Sequence, residues 1–164
     1  MSPRTMVFVT LTAAAAMVSA PALAKDKFKA DLDGFQETPA VSSTGSGEFR
    51  AQVSKDKTML DFEFTYSGLE GGTSLFAHIH FGQPGVAGGV AAFLCGGSTK
   101  PTPCPDIEGT VTGSITAADV VGPNGQGIEP GSFSELLRAM DDGVTYVNIH
   151  TTRWPGGEIR GAVK

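Results

Sequence analysis

Two short segments, 74-SLFAHIHFG-82 and 145-TYVNIHTTRW-154, decide the fold and contain all 3 histidines of the chain. In each segment apolar residues alternate with polar or aromatic ones, which is the period-two pattern of a β-strand with one face buried. His78 and His80 therefore share one face of the first strand, and His150 lies on the corresponding face of the second. The residues predicted to face the core are Ala77, Ile79 and Phe81 in the first strand and Val147, Ile149 and Thr151 in the second.

The same alternation recurs along the rest of the chain, between segments rich in its 22 glycines. Short strands at such spacing are typical of a β-sandwich or barrel. We therefore predict an all-β fold, an antiparallel Greek-key-like β-sandwich or barrel of about eight strands with one short helix. The predicted strands are 28–33, 47–54, 59–66, 74–81, 89–95, 109–116, 144–151 and 158–163.

One segment, residues 133–142, has helical spacing instead. Its apolar residues Phe133, Leu136, Leu137 and Met140 follow the i, i+3, i+4, i+7 pattern of a buried stripe. Ser132 and Glu135 have the spacing of a capping box, and Gly143 is suited to end the helix. The helix is predicted to pack against one edge or end of the β-structure.

A turn signal joins the last two predicted strands. In 154-WPGG-157, proline fixes φ and a following glycine accepts positive φ, as a type II turn requires. The strand bearing His150 and the final strand are therefore predicted to form an antiparallel hairpin.

Residues 1–24 have the pattern of a secretory signal peptide. Arg4 precedes an apolar stretch from Met6 to Val18, and Ala22-Leu23-Ala24 supplies a small-x-small cleavage site. The apolar stretch is shorter than a membrane span of about 20 residues. We expect a single domain over residues 25–164, exported to the periplasm or secreted, with no membrane anchor.

Charge and cysteine content restrict the partners further. The net charge of −5 argues against a nucleic-acid or anionic-membrane partner, and the sequence identifies no protein partner. Cys95 and Cys104, the 2 cysteines, lie in a loop-like segment. In an exported protein they are predicted to form a local disulfide, with thiolate metal ligation as the less favoured alternative.

The histidines make metal binding the leading functional hypothesis. Imidazole is a common ligand of late first-row metals, and His78, His80 and His150 would leave one coordination position open. Copper is the first candidate and zinc the second, whereas a blue-copper centre would need a cysteine ligand. Tyr146 and Asn148 share the parity of His150 and are candidate hydrogen-bond partners of the ligands. Gly82 and Gly85 would let the backbone turn tightly beside the metal.

A metal-free interpretation stands beside this hypothesis. Histidines are polar, aromatic and tolerated on an exposed strand face, and surface polarity would explain Tyr146 and Asn148 equally well. An H-x-H pair on one face, with the remaining histidine in the same parity on another strand, favours a shared site. The sequence does not establish that the two strands are neighbours.

Three segments resemble the CHRD domain, the module first described in chordin and present in many exported bacterial proteins. They are 32-LDGFQETPAVSSTGSGEF-49, 77-AHIHFGQPGVAGGVAAFL-94 and 148-NIHTTRWPGGEIRGAV-163. Together they span much of residues 25–164, and the last two are specific. The resemblance implies an all-β sandwich, and it says little about biochemical function.

The spacing His78-x-His80-x-Gly82 is also distantly similar to the copper site of copper/zinc superoxide dismutases. There, two histidines on one strand and one on a later strand hold copper, in the order of His78, His80 and His150. The bridging histidine and the zinc site have no counterpart here. The resemblance implies a copper-only enzyme, in which a cation would attract superoxide, with Arg153 as the first candidate and Arg160 as the second. For both arginines the favoured interpretation is a solvated charge at a strand end.

Three functional classes follow from these observations. The first is an envelope metal-binding protein that buffers or delivers copper. The second is an enzyme resembling superoxide dismutase, and the third is a metal-free extracellular interaction module. Met59 and Met140 both fall in core-like patterns, which argues modestly against delivery of Cu(I).

Overall fold

The computed structural model describes residues 25–164, so the predicted signal peptide lies outside the described residues. The domain consists of 8 β-strands, 1 α-helix and short 3₁₀ turns. The strands are β1 (Lys27–Asp33), β2 (Ser46–Val53), β3 (Met59–Ser67), β4 (Ser74–Phe81), β5 (Gly89–Cys95), β6 (Gly109–Thr116), β7 (Thr145–Thr151) and β8 (Ile159–Ala162), and the helix α1 is Phe133–Asp141. The predicted all-β class and its single helix are confirmed, and every strand end lies within one residue of its predicted position.

All 8 strands form one antiparallel sheet in the order β5-β4-β7-β8-β1-β2-β3-β6. The two edge strands, β5 and β6, approach each other, so the sheet is nearly a closed barrel. Neighbours in the sheet are often distant in sequence, because β4 pairs with β7 and β1 pairs with β8. This crossover brings the two histidine-bearing segments together.

The barrel interior is filled by the residues that alternation predicts. Every second residue of β1, β2 and β3 is buried, as are the predicted inward residues of β4 and β7, apart from half-buried Phe81 at the end of β4. The largest side chains of this core include Phe49, Phe64, Tyr66, Ile79 and Ile149. The core therefore fixes which face of β4 and β7 carries the histidines.

Helix α1 covers part of this core through Phe133, Leu136 and Met140, and Gly143 ends it in a left-handed conformation with φ of 68°. The predicted capping box is wrong. The Ser132 side chain makes no capping hydrogen bond, and Glu135 forms an ion pair with Arg138 one turn later. Within residues 25–164, no helix has both the length and the apolar character needed to cross a membrane.

The predicted hairpin of β7 and β8 is confirmed, with Ile149 opposite Ile159 and Asn148 opposite Arg160. Its turn is closed by a hydrogen bond from the Gly157 amide to the Trp154 carbonyl. The predicted type II geometry is wrong, because the positive φ is at Gly157, with 124°, and not at Gly156.

The Cys95 and Cys104 side chains are joined by a disulfide, with their Cα atoms 5.2 Å apart. Both cysteines are buried, and the bridge connects the end of β5 to the segment that leads into β6. Neither sulfur is therefore available as a thiolate ligand in this form of the protein.

Candidate metal centre

The three histidines lie together on adjacent strands. His78 and His80 are on β4 and His150 is on β7, where His150 pairs with Phe76. One candidate ligand nitrogen from each ring lies within 4.8 Å of those of the other two. The proximity that the sequence left open is therefore present.

The histidine face is buried, contrary to the idea of an exposed strand face. His78, His80 and His150 expose only 3%, 8% and 6% of their surface. Their side chains point away from the barrel core, but loops fold over them. Gly88, after β4, and Pro155, in the β7–β8 turn, each contact a histidine ring. The polar face of β4 and β7 is thus buried as well as the core face, and strand alternation alone does not reveal this.

Backbone carbonyls orient two of the rings. His80 Nδ1 lies 2.8 Å from the Gly88 carbonyl, and His150 Nδ1 lies 2.8 Å from the Pro155 carbonyl. Because a carbonyl only accepts hydrogen bonds, each Nδ1 carries the proton and each neutral ring keeps its lone pair on Nε2. This is the orientation in which metal-binding histidines are usually held.

Two ring nitrogens have no partner. His78 Nδ1 and His80 Nε2 are buried and make no hydrogen bond. Buried polar atoms are almost always paired, since an unpaired one costs roughly 1–3 kcal/mol. The two atoms belong to the same cluster, so a single bound ion would satisfy both.

Aromatic rings enclose the cluster. Tyr146 stacks on His80 with centroids 4.5 Å apart and an interplanar angle of 9°. Phe76 contacts His150 at 4.7 Å, and Phe93 packs edge-on against His78 at 5.4 Å. These rings limit the directions in which the imidazoles can move, and Tyr146 contacts His80 through its ring while its hydroxyl accepts a hydrogen bond from the Gly88 amide.

Asn148 lies in the middle of the polar face. It is 1% exposed, pairs across the strands with His78, and its Oδ1 lies 3.1 Å from His150 Nε2. Asn148 is thus in contact with His150 in the folded protein.

A buried ion pair borders the histidines, and sequence reasoning missed half of it. Arg160 on β8 donates from Nε to Glu37 Oε2 at 2.6 Å, and its guanidinium lies 4.3 Å above the Tyr146 ring. Both side chains are almost fully buried. Glu37 comes from a loop 123 residues away, so no local pattern signals it. Arg160 could have been found from strand alternation, because the hairpin register places it beside Asn148.

Arg153, the first candidate for guiding an anion, lies elsewhere on the surface. It is exposed, and its guanidinium stacks over the Trp154 ring at 4.6 Å. Arg160 is instead the cation beside the histidines, because it packs on the Tyr146 ring, which stacks on His80. Gly85 has a positive φ of 76°, consistent with the tight turn predicted near the site.

A comparison with protein families finds one match that covers most of the chain. The model described as the CHRD domain matches residues 28–163. The chain belongs to the CHRD domain family. No curated protein and no solved structure matches it significantly.

Burial keeps the histidines of this CHRD domain neutral. Desolvation, with the nearby His80 and His150, lowers the pKa of His78 to about 2. Desolvation also lowers the pKa of His80 to about 4 against the opposing hydrogen bond to Gly88, and it lowers the pKa of His150. At neutral pH all three imidazoles therefore offer lone pairs without first losing a proton.

These pKa values predict that the metal-free CHRD domain loses stability in mild acid. Below pH 6.5 the histidines bind protons in the unfolded chain, whereas His78 and His80 stay neutral in the folded one until their pKa values of about 2 and about 4. Stability therefore falls as pH falls, by about 2 kcal/mol for each of these two histidines between pH 8 and pH 5. Urea unfolding at several pH values measures the slope, which His80→Gln should reduce. An equal slope in both proteins would contradict this burial effect.

Proposed function

We propose that this CHRD domain binds one transition-metal ion, copper first and zinc second, through His78, His80 and His150. The observation that carries the proposal is the cluster of three buried imidazoles with ligand atoms within 4.8 Å of one another. Each is neutral in the folded protein, and two contain buried nitrogens without any partner.

Plain packing accounts poorly for this arrangement. Three imidazoles in contact exclude water from one another's ring nitrogens. They do not replace the lost hydrogen bonds, since none of their polar contacts joins two histidines. An apolar residue at each position would avoid that cost. A bound cation converts the same lone pairs into ligands, and its binding free energy adds to folding stability.

The donor set supports the choice of metal. Nitrogen-rich sites favour late first-row metals, and the divalent affinity order places copper above zinc. The disulfide removes both cysteines as soft ligands. Met140 is fully buried in the core, and Met59 lies in β3 at its junction with the β2–β3 turn. A site made of imidazole alone is suited to Cu(II) and Zn²⁺.

We further propose that the domain holds its metal rather than turning over a substrate there. The three side chains are at most 8% exposed, and aromatic rings pack against them, so a substrate has little access to the ion. The enzyme resembling superoxide dismutase remains the second candidate. It is favoured by one observation, the buried cation Arg160 packed on Tyr146 next to His80.

The proposal places the protein outside the cytoplasm, in the periplasm or as a secreted protein. The signal-peptide pattern of residues 1–24 supports this, as does the disulfide, which persists in oxidising compartments. Metal buffering in that compartment is the role we assign to the site.

The test is metal titration of the metal-free protein of residues 25–164. We expect one equivalent of Cu(II) to bind, and one equivalent of Zn²⁺ to bind in its place more weakly, with both ions raising the unfolding temperature. Binding well below one equivalent, or an unfolding temperature that neither ion changes, would exclude the proposed site. If copper binds, the rate of superoxide dismutation by the copper-loaded protein is compared with that of the same amount of copper bound to a chelator. A rate no higher than this reference supports metal holding rather than the enzyme.

A further inference from the structure

We propose that Asn148 is the fourth ligand of this metal, through its carboxamide oxygen. The proposal rests on the proposed function and specifies how the site is completed. An amide oxygen as fourth donor would make the site a closed N₃O set that suits Zn²⁺ and Cu(II) better than Cu(I), since oxygen ligands suit harder ions.

The position of the carboxamide supports this. Asn148 faces His78 across β4 and β7, and it precedes His150 by two residues on the same face of β7. Its Oδ1 lies 3.1 Å from His150 Nε2. In a tetrahedral site with metal–ligand bonds of about 2.0–2.1 Å, neighbouring ligand atoms are about 3.3 Å apart. The oxygen and the nitrogen are thus already at the separation of two ligands on one ion.

The chemistry of that contact also points to a cation. His150 Nδ1 donates to the Pro155 carbonyl, so Nε2 of the neutral ring presents a lone pair. Asn148 Oδ1 presents lone pairs as well. Two acceptors 3.1 Å apart repel each other, and a metal ion bound to both makes the same geometry favourable.

The other end of the carboxamide lies on the side of Glu37 and Gly157. A Cβ atom on Gly157 would lie 2.9 Å from Asn148 Nδ2 and 2.3 Å from Glu37 Oε1. The amide nitrogen of Asn148 and the carboxylate of Glu37 therefore both lie close to Gly157, where the lack of a side chain leaves room for them. The Nδ2 end of the carboxamide lies beside Gly157 and Glu37, whose Oε1 makes no hydrogen bond, and the Oδ1 end contacts His150. Arg160 fixes Glu37 in turn through Oε2.

Apart from Glu37 Oε1, which makes no hydrogen bond, the other oxygen donors around the cluster are already engaged. The Tyr146 hydroxyl accepts a hydrogen bond from the Gly88 amide, and the Gly88 and Pro155 carbonyls accept from the histidines. Glu37 is paired with Arg160. Asn148 is the uncharged side chain that offers an oxygen in contact with a ligand nitrogen.

The experiment measures whether water is bound directly to the metal. Wild type, Asn148→Ala and Asn148→Asp are loaded with one equivalent of Cu(II) in D₂O and examined by pulsed EPR, which detects deuterons of coordinated water. We expect none in wild type or Asn148→Asp, which keeps an oxygen at this position, and one water in Asn148→Ala. Copper affinity should also fall in Asn148→Ala, because one ligand of the ion is lost. Asn124→Ala, the same substitution at an exposed asparagine outside the site, is the matched control and should match wild type.

A second measurement needs no substitution. Wild type labelled with ¹³C at the asparagine carboxamides should show a ¹³C hyperfine coupling from Asn148, one of the chain's two asparagines, Asn124 and Asn148. Copper bound by the histidines with no such coupling, and with the same water signal in wild type and Asn148→Ala, would overturn the fourth ligand alone. Absence of copper binding in wild type would overturn both proposals.

Discussion

Replacing Arg160 by methionine is expected to destabilise the domain by about 3–5 kcal/mol, because it leaves a buried carboxylate without its partner. Glu37 is 6% exposed, and its Oε2 accepts the 2.6 Å hydrogen bond from Arg160. Burial raises the pKa of Glu37, and Arg160 is the main influence that opposes this. Removing the arginine would therefore leave Glu37 either charged and unpaired or protonated.

The pH dependence of the Arg160→Met variant separates this mechanism from simple loss of packing. A carboxyl whose pKa is raised on folding stabilises the protein at low pH, and that contribution is lost as pH rises above its ordinary value of 4.5. The penalty should thus grow between pH 5 and pH 8 in urea unfolding experiments. The double variant Glu37→Leu/Arg160→Met is the control, and it should recover much of the lost stability. A double variant no more stable than Arg160→Met would contradict the ion-pair explanation.

Replacing His80 by alanine is expected to lower the affinity for Cu(II) by more than about a hundredfold, since it removes a ligand rather than a residue that orients one, for which the loss is about 10–100-fold. Within residues 25–164, His80 Nε2 is a buried nitrogen that makes no hydrogen bond, so metal ligation is the role that we propose for it. Competition titration with a chelator of known affinity measures the change.

Phe76→Leu is the matched control for His80→Ala. Phe76 is on the same strand face and stacks on both His78 and His150, but it carries no donor atom. Its replacement should change copper affinity by less than about tenfold, in line with a residue outside the ligand set. Similar losses in Phe76→Leu and His80→Ala would mean that packing, and not ligation, controls binding.

Much of the fold follows from local patterns. Strand alternation places Phe28, Phe49 and Phe64 in the core because it depends only on the direction of successive side chains. The helix follows from the spacing of Phe133, Leu136 and Met140. Local signals fail where tertiary contacts compete with them. Glu135 pairs with Arg138 instead of capping the helix, and the turn after Trp154 takes its positive φ at Gly157.

The site is predictable only in part. Parity and residue type identify His78, His80 and His150, together with Asn148 and Tyr146 beside them. Their burial is not predictable, because the covering groups come from loops whose backbone atoms, such as the Gly88 and Pro155 carbonyls, have no side-chain signature. Glu37 reaches its partner across 123 residues, and neither alternation nor spacing encodes such a contact.

X-ray absorption spectroscopy of the one-to-one copper complex tests the central claim most directly. Imidazole rings give a distinctive multiple-scattering pattern beyond the ligand shell. We expect three imidazole nitrogens at about 2.0 Å from the metal, with the number falling to two in His80→Ala. A complex with the imidazole pattern absent, or unchanged in that variant, would contradict a metal centre built from His78, His80 and His150.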